Sequence, residues 1–316
     1  MDYTEIAIGV LKRDGKVCLT LRQSHQTFAG NWEFPGGKIE QGETAVEALQ
    51  REFKEELGLE TFRWKPLITI PWQYKEVAVR LQVFCSEHFT GELIESIGRE
   101  GQTVRWVSEN MLSQIQFPAA NRGVMTALQL TDRYMISGKF NSEQDALARL
   151  ERAFLQGISF CQLRAKNRTQ AEFIALAKQA IPLAHQYSAK ILLNGSPDLL
   201  EVLPQADGIQ LASHAIFDYD ARPIATDKLL GVSTHNQAEI EQALAIGADF
   251  ILLSPVKETS SHPEMVGMGW QVFSERVANV PVPVFALGGM KSEDMILAKQ
   301  AGAQGIAAIS GFWPSE

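Results

Sequence analysis

The spacing of apolar and polar residues changes character part-way along the chain. Near the start, Ile6 to Leu11 and Lys16 to Leu21 are short apolar-rich runs on either side of Arg13-Asp14-Gly15, a turn-forming tripeptide, and they predict a β-hairpin. Ala78 to Phe84 and Thr103 to Val107 predict further strands, and helical patterns run from Thr44 to Leu57 and again after Asn121. From Arg133 onward the rhythm is regular. Short apolar runs recur at Tyr134–Ile136, Phe160–Leu163, Lys190–Leu193, Gly208–Leu211, Leu229–Val232, Phe250–Leu253, Val284–Leu287 and Gly305–Ala308, most of them separated by segments of helix length. Eight buried-type strands alternating with helices are what a (β/α)8 barrel requires, with a doubly wound sheet as runner-up. The pattern predicts an α/β protein: a mixed domain over residues 1–131 and a TIM barrel over 132–316, meeting near Thr131-Asp132 without a low-complexity linker.

Composition narrows this picture. A chain of 316 residues has room for about two domains, and its 45% hydrophobic and 21% charged content is that of a folded protein. Acidic residues outnumber basic ones, 37 to 29, for a net charge of −8. That balance argues against a nucleic-acid polymer as partner, because phosphate-backbone affinity comes from clustered Lys and Arg. Small anions remain candidates where a metal carries the positive charge. Cys18, Cys85 and Cys161 lie far apart without metal-ligand spacing, so neither a disulfide framework nor a zinc site is expected. Met1 to Glu5 carries acids where a signal peptide carries Lys or Arg, and no apolar run approaches the roughly 18 residues that span a bilayer. The expectation is a cytoplasmic protein that does not enter a membrane.

The densest chemistry lies between Gly36 and Leu59. Thr44 with Glu47 forms a capping box and Gly58 a stop, so one helix is predicted between them. At 100° per residue from Ala45, Leu49, Phe53 and Leu57 fall at about 40°, 80° and 120°, the core face, while Glu55, Glu52 and Glu56 fall at about 280°, 340° and 20°. Three carboxylates thus share one stripe beside the apolar face. Like charges at i,i+3 and i,i+4 repel, the more so when partly buried, and the stripe calls for a cation. Oxygen-only ligands favour Mg²⁺ or Mn²⁺, and Mg²⁺ habitually shares its shell between carboxylates and substrate phosphates. On clustering alone, a solvated acidic face with Arg51 and Lys54 as ordinary partners is the simpler alternative.

Gly37, Glu43, Arg51, Glu52, Phe53, Glu55, Glu56, Gly58 and Leu59 occupy every fixed place of the pattern G x5 E x7 R E U x E E x G U, where U is bulky and apolar. This is the Nudix box. With the preceding Trp32-Glu33-Phe34-Pro35-Gly36-Gly37-Lys38, the segment from about residue 5 to 130 resembles the MutT branch of the Nudix hydrolases. The resemblance implies an α/β/α sandwich and Mg²⁺-dependent cleavage of a nucleoside triphosphate to monophosphate and diphosphate. It further implies that Glu52, Glu55 and Glu56, with Glu100 and the Gly37 backbone, hold metal, and that Arg51 braces the box glutamates as Glu43 braces Arg51. Glu52, ahead of Glu100, would take the proton of the attacking water.

Phe117-Pro118-Ala119-Ala120-Asn121 sits where MutT proteins carry a similar Phe-Pro-x-Ala-Asn whose Asn binds an oxidised guanine. An amide presents donor and acceptor together and can pair with a purine edge; its simpler role is to cap the helix that follows. Arg22 matches a position that contacts the nucleotide, Phe28 lies in the same lid-like loop, and Phe34 belongs to the preceding motif; Val79 to Phe84 departs from the pattern. The implied reaction is 8-oxo-dGTP to 8-oxo-dGMP plus diphosphate, which clears a mutagenic nucleotide from the pool used for DNA replication.

In the second half, Gln162-Leu163-Arg164-Ala165-Lys166, Gly231-Val232-Ser233-Thr234-His235, Gly247-Ala248-Asp249, Ser254-Pro255-Val256 and Ala286-Leu287-Gly288-Gly289-Met290 follow the order and spacing of thiamine phosphate synthases and TenI proteins, over about residues 133 to 313. Most of these motifs fall at or just after a predicted strand's C-terminal end, where barrel enzymes keep their sites. The resemblance implies a pocket for a thiamine-related phosphate drawing on Arg164, Lys166, Asn194, His235, Gly288 and Gly289. Departures accompany it. Asn194-Gly195-Ser196 stands for the family's Asn-Asp-Arg, Gln210 to Ala215 for His-Leu-Gly-Gln-x-Asp, and Ser260-Ser261-His262 for Thr-x-Thr-Lys. Without both metal-binding aspartates, the barrel is expected not to be an active synthase. A binding module, a structural or dimerising partner, and a TenI-like enzyme using His235 and His262 remain open. The fusion also raises a rival for the whole chain, hydrolysis of thiamine diphosphate or its damaged analogues. Both families often dimerise, so a homodimer is an expectation by analogy alone.

Overall fold

A computed structural model of the chain describes residues 3–24, 28–93, 96–259 and 266–315. The backbone divides into two compact units, Met1–Gln129 and Leu130–Glu316.

Strands β1 (Thr4–Arg13), β2 (Lys16–Leu21), β3 (Trp32–Glu33), β4 (Gly36–Lys38), β5 (Glu60–Phe62), β6 (Lys65–Gln73), β7 (Ala78–Ser86), β8 (His88–Thr90), β9 (Ser96–Ile97) and β10 (Thr103–Ser108) belong to the first unit. Its mixed sheet runs β6-β7-β1-β2-β10-β9, with β3 added on β2 and β4 on β1, while β5 and β8 pair separately. Period-two alternation sends Ala7 and Leu11 of β1 to one face and Ile8 and Val10 to the other. On the first face, α1 (Ala45–Glu52) and the turn that follows it bury Leu49, Phe53 and Leu57. On the opposite face, α2 (Arg122–Gln129) buries Val124 against Leu19, Ile70 and Val83. The sheet is therefore covered on both sides. Between Ala7 and Leu11 the chain has Gly9, and a Cβ there would lie 2.4 Å from Phe53 Cε2, so the ring fills the place of the missing side chain.

Helix α1 begins at its capping box: Thr44 N–H donates to the Glu47 carboxylate at 2.7 Å and Glu47 N–H to Thr44 Oγ1 at 3.3 Å. The helix expected to continue unbroken to Leu57 does not. Phe53–Leu57 form a π turn, closed by Gly58 in the left-handed region at φ 72°. Phe53, Leu57 and Leu59 are all buried across this turn, so a constant step of about 100° describes Glu52 but not Glu55 or Glu56. Strand β6 also lacked a clean signature, because it contains Pro66 and Pro71 and breaks register between Pro66 and Ile68.

The second unit is a closed barrel of eight parallel strands: β11 (Arg133–Ile136), β12 (Phe160–Leu163), β13 (Lys190–Asn194), β14 (Gly208–Leu211), β15 (Leu229–Thr234), β16 (Phe250–Leu253), β17 (Val284–Ala286) and β18 (Gly305–Ala308). Tyr134 opposite Ala307 closes the ring. Around it lie α3 (Glu143–Leu155), α4 (Gln170–Gln186), α5 (Leu199–Val202), α6 (Gln237–Ala245), α7 (Gly269–Val277) and α8 (Met295–Gln300). Alternation again sorts the strands. Tyr134, Ile136, Phe160, Leu192, Phe250 and Phe285 pack together in one cluster, while Met135, Cys161, Leu163, Ile191 and Leu193 pack in another with helix residues such as Leu150 and Ala177. Fully buried Gln210 holds its amide 3.1 Å from Tyr134 Oη and 3.2 Å from Ser233 Oγ, which satisfies a polar group that burial would otherwise penalise.

The Gly9 contact yields a test. Gly9→Ala overpacks the Phe53 face and is expected to destabilise the first unit by about 1–3 kcal/mol, read as a lower denaturant midpoint of its unfolding transition. An unchanged midpoint would mean that Phe53 moves aside without cost.

Candidate active site

Carboxylates converge from four segments of the first unit. Glu52 ends α1, Glu55 and Glu56 lie on the π turn, Glu33 is on β3, and Glu100 is on the loop before β10. That loop is pinned to the turn: Arg99 N–H donates to Glu56 O at 2.7 Å, Gly98 N–H to Gln102 O at 2.7 Å, and Glu100 N–H to Gln102 Oε1 at 3.1 Å. Gln23 Nε2 adds a hydrogen bond to Glu100 O at 2.9 Å. Burial, followed by the charges of Glu52, Glu33, Glu100 and Glu55, pushes the Glu56 carboxyl up to about 8. Burial also raises the Glu33 carboxyl, against the opposing pull of its partner Arg22.

Arg51 works against this repulsion. It donates to Glu43 at 2.8 and 3.3 Å, to Glu52 Oε1 at 2.8 Å, to Glu55 at 3.4 Å and to Lys38 O at 3.0 Å. Its hydrogen bonds hold the Glu43 carboxyl below the usual range. Gly37 leaves room for the arrangement, since a Cβ there would lie 2.0 Å from Glu52 Oε1. Glu52 Oε2 has no hydrogen-bond partner among the described residues.

Among the described residues, no group of three His, Cys, Asp or Glu side chains stands in a preformed metal-holding arrangement. The chemistry of the donors nevertheless suits a hard divalent cation: every group is an oxygen, and the repulsion felt at Glu56 is what such a cation would remove.

Asn121 is buried in the short turn that leads into α2 and does not serve as a simple cap: its side-chain amide makes no hydrogen bond among the described residues. Phe34 stacks on Phe117 with ring centroids 5.4 Å apart, beside Ala120 in the same core. Phe28, at φ 61°, lies 5.0 Å from Tyr74. The Tyr74 hydroxyl meets the backbone of Ala120, next to Asn121, and its ring lies within the field of Arg22. Arg22, Phe28, Phe34 and Asn121 are thus drawn to one side of the sheet through Tyr74, and Arg22 leads through Glu33 to the carboxylates. Sequence reasoning missed both Tyr74 and the charge role of Glu33. Glu33 stood inside a recognised motif, but nothing in its spacing marked it as the partner of Arg22. Val79 to Phe84, whose part was open, splits between the core and Glu5, which accepts from Arg80 at 2.8 Å and Gln82 at 2.9 Å.

At the C-terminal ends of the barrel strands, Lys166 and Asn194 line a cleft of about 360 Å³ with Arg168, Gly195, Ser196, Phe173 and Leu199. Arg164 is close enough to lower the Lys166 pKa by repulsion. His235 is engaged elsewhere, with Nδ1 3.0 Å from Glu239 and its carbonyl accepting from Arg276 at 2.6 Å. Gly288 and Gly289 pack against the neighbouring loop: added Cβ atoms would lie 2.8 Å from Pro255 Cα and 2.6 Å from Glu258 O. Ser260, Ser261 and His262 lie outside the described residues. No disulfide links Cys18, Cys85 and Cys161, and burial pushes the Cys18 thiol up to about 12. No helix among the described residues is long and apolar enough to cross a membrane.

Comparison with known families agrees with both halves. The model of the NUDIX domain matches residues 6–127, and that of the thiamine monophosphate synthase family matches residues 133–312. The chain is a Nudix domain fused to a member of the thiamine monophosphate synthase (TenI) family. A relative from Aquifex aeolicus is 33% identical over 185 residues, which cover 58% of this chain and 99% of that protein. The thiamine-phosphate synthase of Halalkalibacterium halodurans is 32% identical over 180 residues, covering 56% of this chain and 85% of that enzyme. A solved MutT structure, from work on the Aliivibrio salmonicida and Vibrio cholerae proteins, is 28% identical, covers 41% of this chain and 100% of its own, and has a TM-score of 0.35. The Nudix family is defined by hydrolysis of phosphoanhydrides, so the first half is a hydrolase domain.

The raised Glu56 carboxyl has a measurable consequence. The folded chain keeps a proton on Glu56 that the unfolded chain has lost, so stability falls as pH rises from the ordinary glutamate value through about 8. In EDTA, Glu56→Gln is expected to unfold at a higher temperature than the unmodified chain at about pH 9, and at nearly the same temperature at about pH 4. A gap that does not change with pH would show that Glu56 is not crowded by its neighbours.

Proposed function

We propose that the Nudix half is a Mg²⁺-dependent nucleoside triphosphate pyrophosphohydrolase that prefers 8-oxo-dGTP and releases 8-oxo-dGMP and diphosphate. The observation that carries the substrate choice is Asn121, a largely buried residue whose amide makes no hydrogen bond among the described residues and which sits beside the Tyr74, Phe28 and Arg22 group. An amide without a protein partner keeps its donor and acceptor available, and a purine edge offers the matching acceptor and donor.

Glu52, Glu55, Glu56 and Glu100, with the Gly37 backbone, are the groups that would hold the metal. Mg²⁺, when bound, supplies positive charge against the phosphates and activates water for in-line attack. Glu52 accepts the proton of the attacking water through Oε2, while Arg51 fixes the rest of that carboxylate in place; Glu100 is the second candidate for this role. The new bond joins water oxygen to phosphorus, the bridging P–O bond breaks, and diphosphate leaves. Asn121 orients the base, and Phe28, Phe34 and Tyr74 exclude water around it. The reading places the reaction in nucleotide-pool sanitation in the cytoplasm.

For the barrel we infer binding of a phosphorylated small molecule rather than thiamine phosphate synthesis. Gly195 and Ala215 stand where metal-holding aspartates are expected in the family, so the charge neutralisation that diphosphate displacement needs is missing.

A steady-state panel of 8-oxo-dGTP, dGTP, the other nucleoside triphosphates and thiamine diphosphate, with Mg²⁺ present, tests the substrate. The expectation is a kcat/KM for 8-oxo-dGTP at least about tenfold above dGTP, collapsing toward equality in Asn121→Ala. Faster cleavage of thiamine diphosphate would replace the purine reading. Separately, Glu52→Gln is expected to lower kcat by about a hundredfold or more, and a fully active variant would remove Glu52 from the mechanism.

A further inference from the structure

The Asn121 amide makes no hydrogen bond among the described residues, so the protein does not set which way round its oxygen and nitrogen stand. A half-turn exchanges donor and acceptor. That freedom limits what the amide can select. Oxidised guanine presents N7–H as donor beside O6 as acceptor, and adenine presents N6–H as donor beside N7 as acceptor, so one orientation of the amide suits the first base and the other suits the second. Selection between a 6-oxo and a 6-amino purine therefore needs a neighbouring group whose sense is fixed.

Tyr74 is such a group. Its ring meets Phe28 at 5.0 Å and Trp72 at 6.4 Å, and packs against the cluster that holds Phe34 and Ala120. The turn beneath it is closed, since Tyr74 N–H donates to Val77 O at 2.9 Å. With only two side-chain torsions, a tyrosine whose ring is held has its hydroxyl held as well. Burial pushes the Tyr74 pKa up, against the pull of Arg22 and of a hydrogen bond with the Ala120 backbone, so the hydroxyl keeps its proton at neutral pH. A backbone bond that pulls a phenol pKa down favours the phenolate, which means that the oxygen accepts it from Ala120 N–H. The hydroxyl proton is then what Tyr74 has left to offer. Ala120 immediately precedes Asn121, so this donor stands beside the amide.

We propose that Tyr74 is the specificity-determining donor of the base site: its hydroxyl donates to the 6-keto oxygen of a purine engaged by Asn121 and so selects 6-oxo over 6-amino bases, a role that rests on the reading of the Nudix half as a nucleotide hydrolase whose base lies at Asn121. An amino group at position 6 meets the Tyr74 proton with a proton of its own. The acceptor side of the hydroxyl already faces Ala120 N–H and cannot answer it.

Steady-state hydrolysis of dITP and dATP by the full chain, with Mg²⁺ present, tests this role, because the two bases differ only at position 6 and in the N1 proton that goes with it. The expectation is a kcat/KM for dITP at least about tenfold above dATP, and a chain without that preference would overturn the proposal. Tyr74→Phe removes the hydroxyl and keeps the ring. It is expected to lower kcat/KM for dITP, dGTP and 8-oxo-dGTP by about tenfold, mostly as a higher KM, and to change dATP by less than about twofold. An equal loss on dITP and dATP, or an unchanged preference, would reduce Tyr74 to a structural part. The ratio of 8-oxo-dGTP to dGTP is expected to stay the same in the variant, since both carry the 6-keto oxygen; a loss confined to 8-oxo-dGTP would overturn the assignment to position 6. The two readings fail separately. A chain that cleaves 8-oxo-dGTP and dGTP alike loses the preference for the oxidised base without altering the comparison of dITP with dATP. Should no nucleotide be cleaved, the pyrophosphohydrolase reading falls, and calorimetric titration with dIMP and dAMP still decides Tyr74: tighter binding of dIMP that narrows in Tyr74→Phe supports the donor, and equal affinity overturns it.

Discussion

One arginine holds together charges that would otherwise push apart. Arg51 reaches Glu43, Glu52, Glu55 and the Lys38 carbonyl at once. A planar guanidinium with several fixed donors can do this, and a lysine ammonium cannot match its geometry. The end of α1, the β4 backbone and the loop carrying Glu43 are tied by the same side chain. Among the described residues no cation pairs with Glu56, which bears the residual repulsion. The protein thus neutralises the cluster only in part.

The two halves carry opposite charge problems. In the Nudix half, carboxylates crowd one another around Glu56. At the ends of the barrel strands the crowding is of the other sign, since Arg164 lies close enough to Lys166 to lower its pKa by repulsion. Membership of the thiamine monophosphate synthase family fixes the architecture of the second half, but the fold does not by itself carry the family's reaction over.

Legibility in the sequence followed the range of the interactions. All eight barrel strands could be read from their apolar runs, because a strand apolar on both faces needs no knowledge of its neighbours. The hairpin of β1 and β2 and the start of α1 were equally local: a turn and a capping box declare themselves within a few residues. The π turn was invisible because one widened turn leaves no period to detect, and β6 because its prolines read as breaks. In the carboxylate cluster, Glu52, Glu55 and Glu56 were legible through the Nudix box, whereas the part of Glu33 was not. Tyr74 was not, since its role comes from a contact with Ala120, distant in sequence, and the link between Arg22 and Glu33 crosses strands in the same way.

Four aromatic rings crowd the inside of the barrel. Tyr134 stacks on Phe160 at 4.3 Å, and Phe250 and Phe285 stand edge-on at 5.8 Å. Close-packed rings of this kind yield little volume under load. A molecule arriving at the strand ends therefore rests on a stiff floor, and any accommodation it demands must be made by the loops, which become the part of the barrel free to differ between an empty and a loaded state.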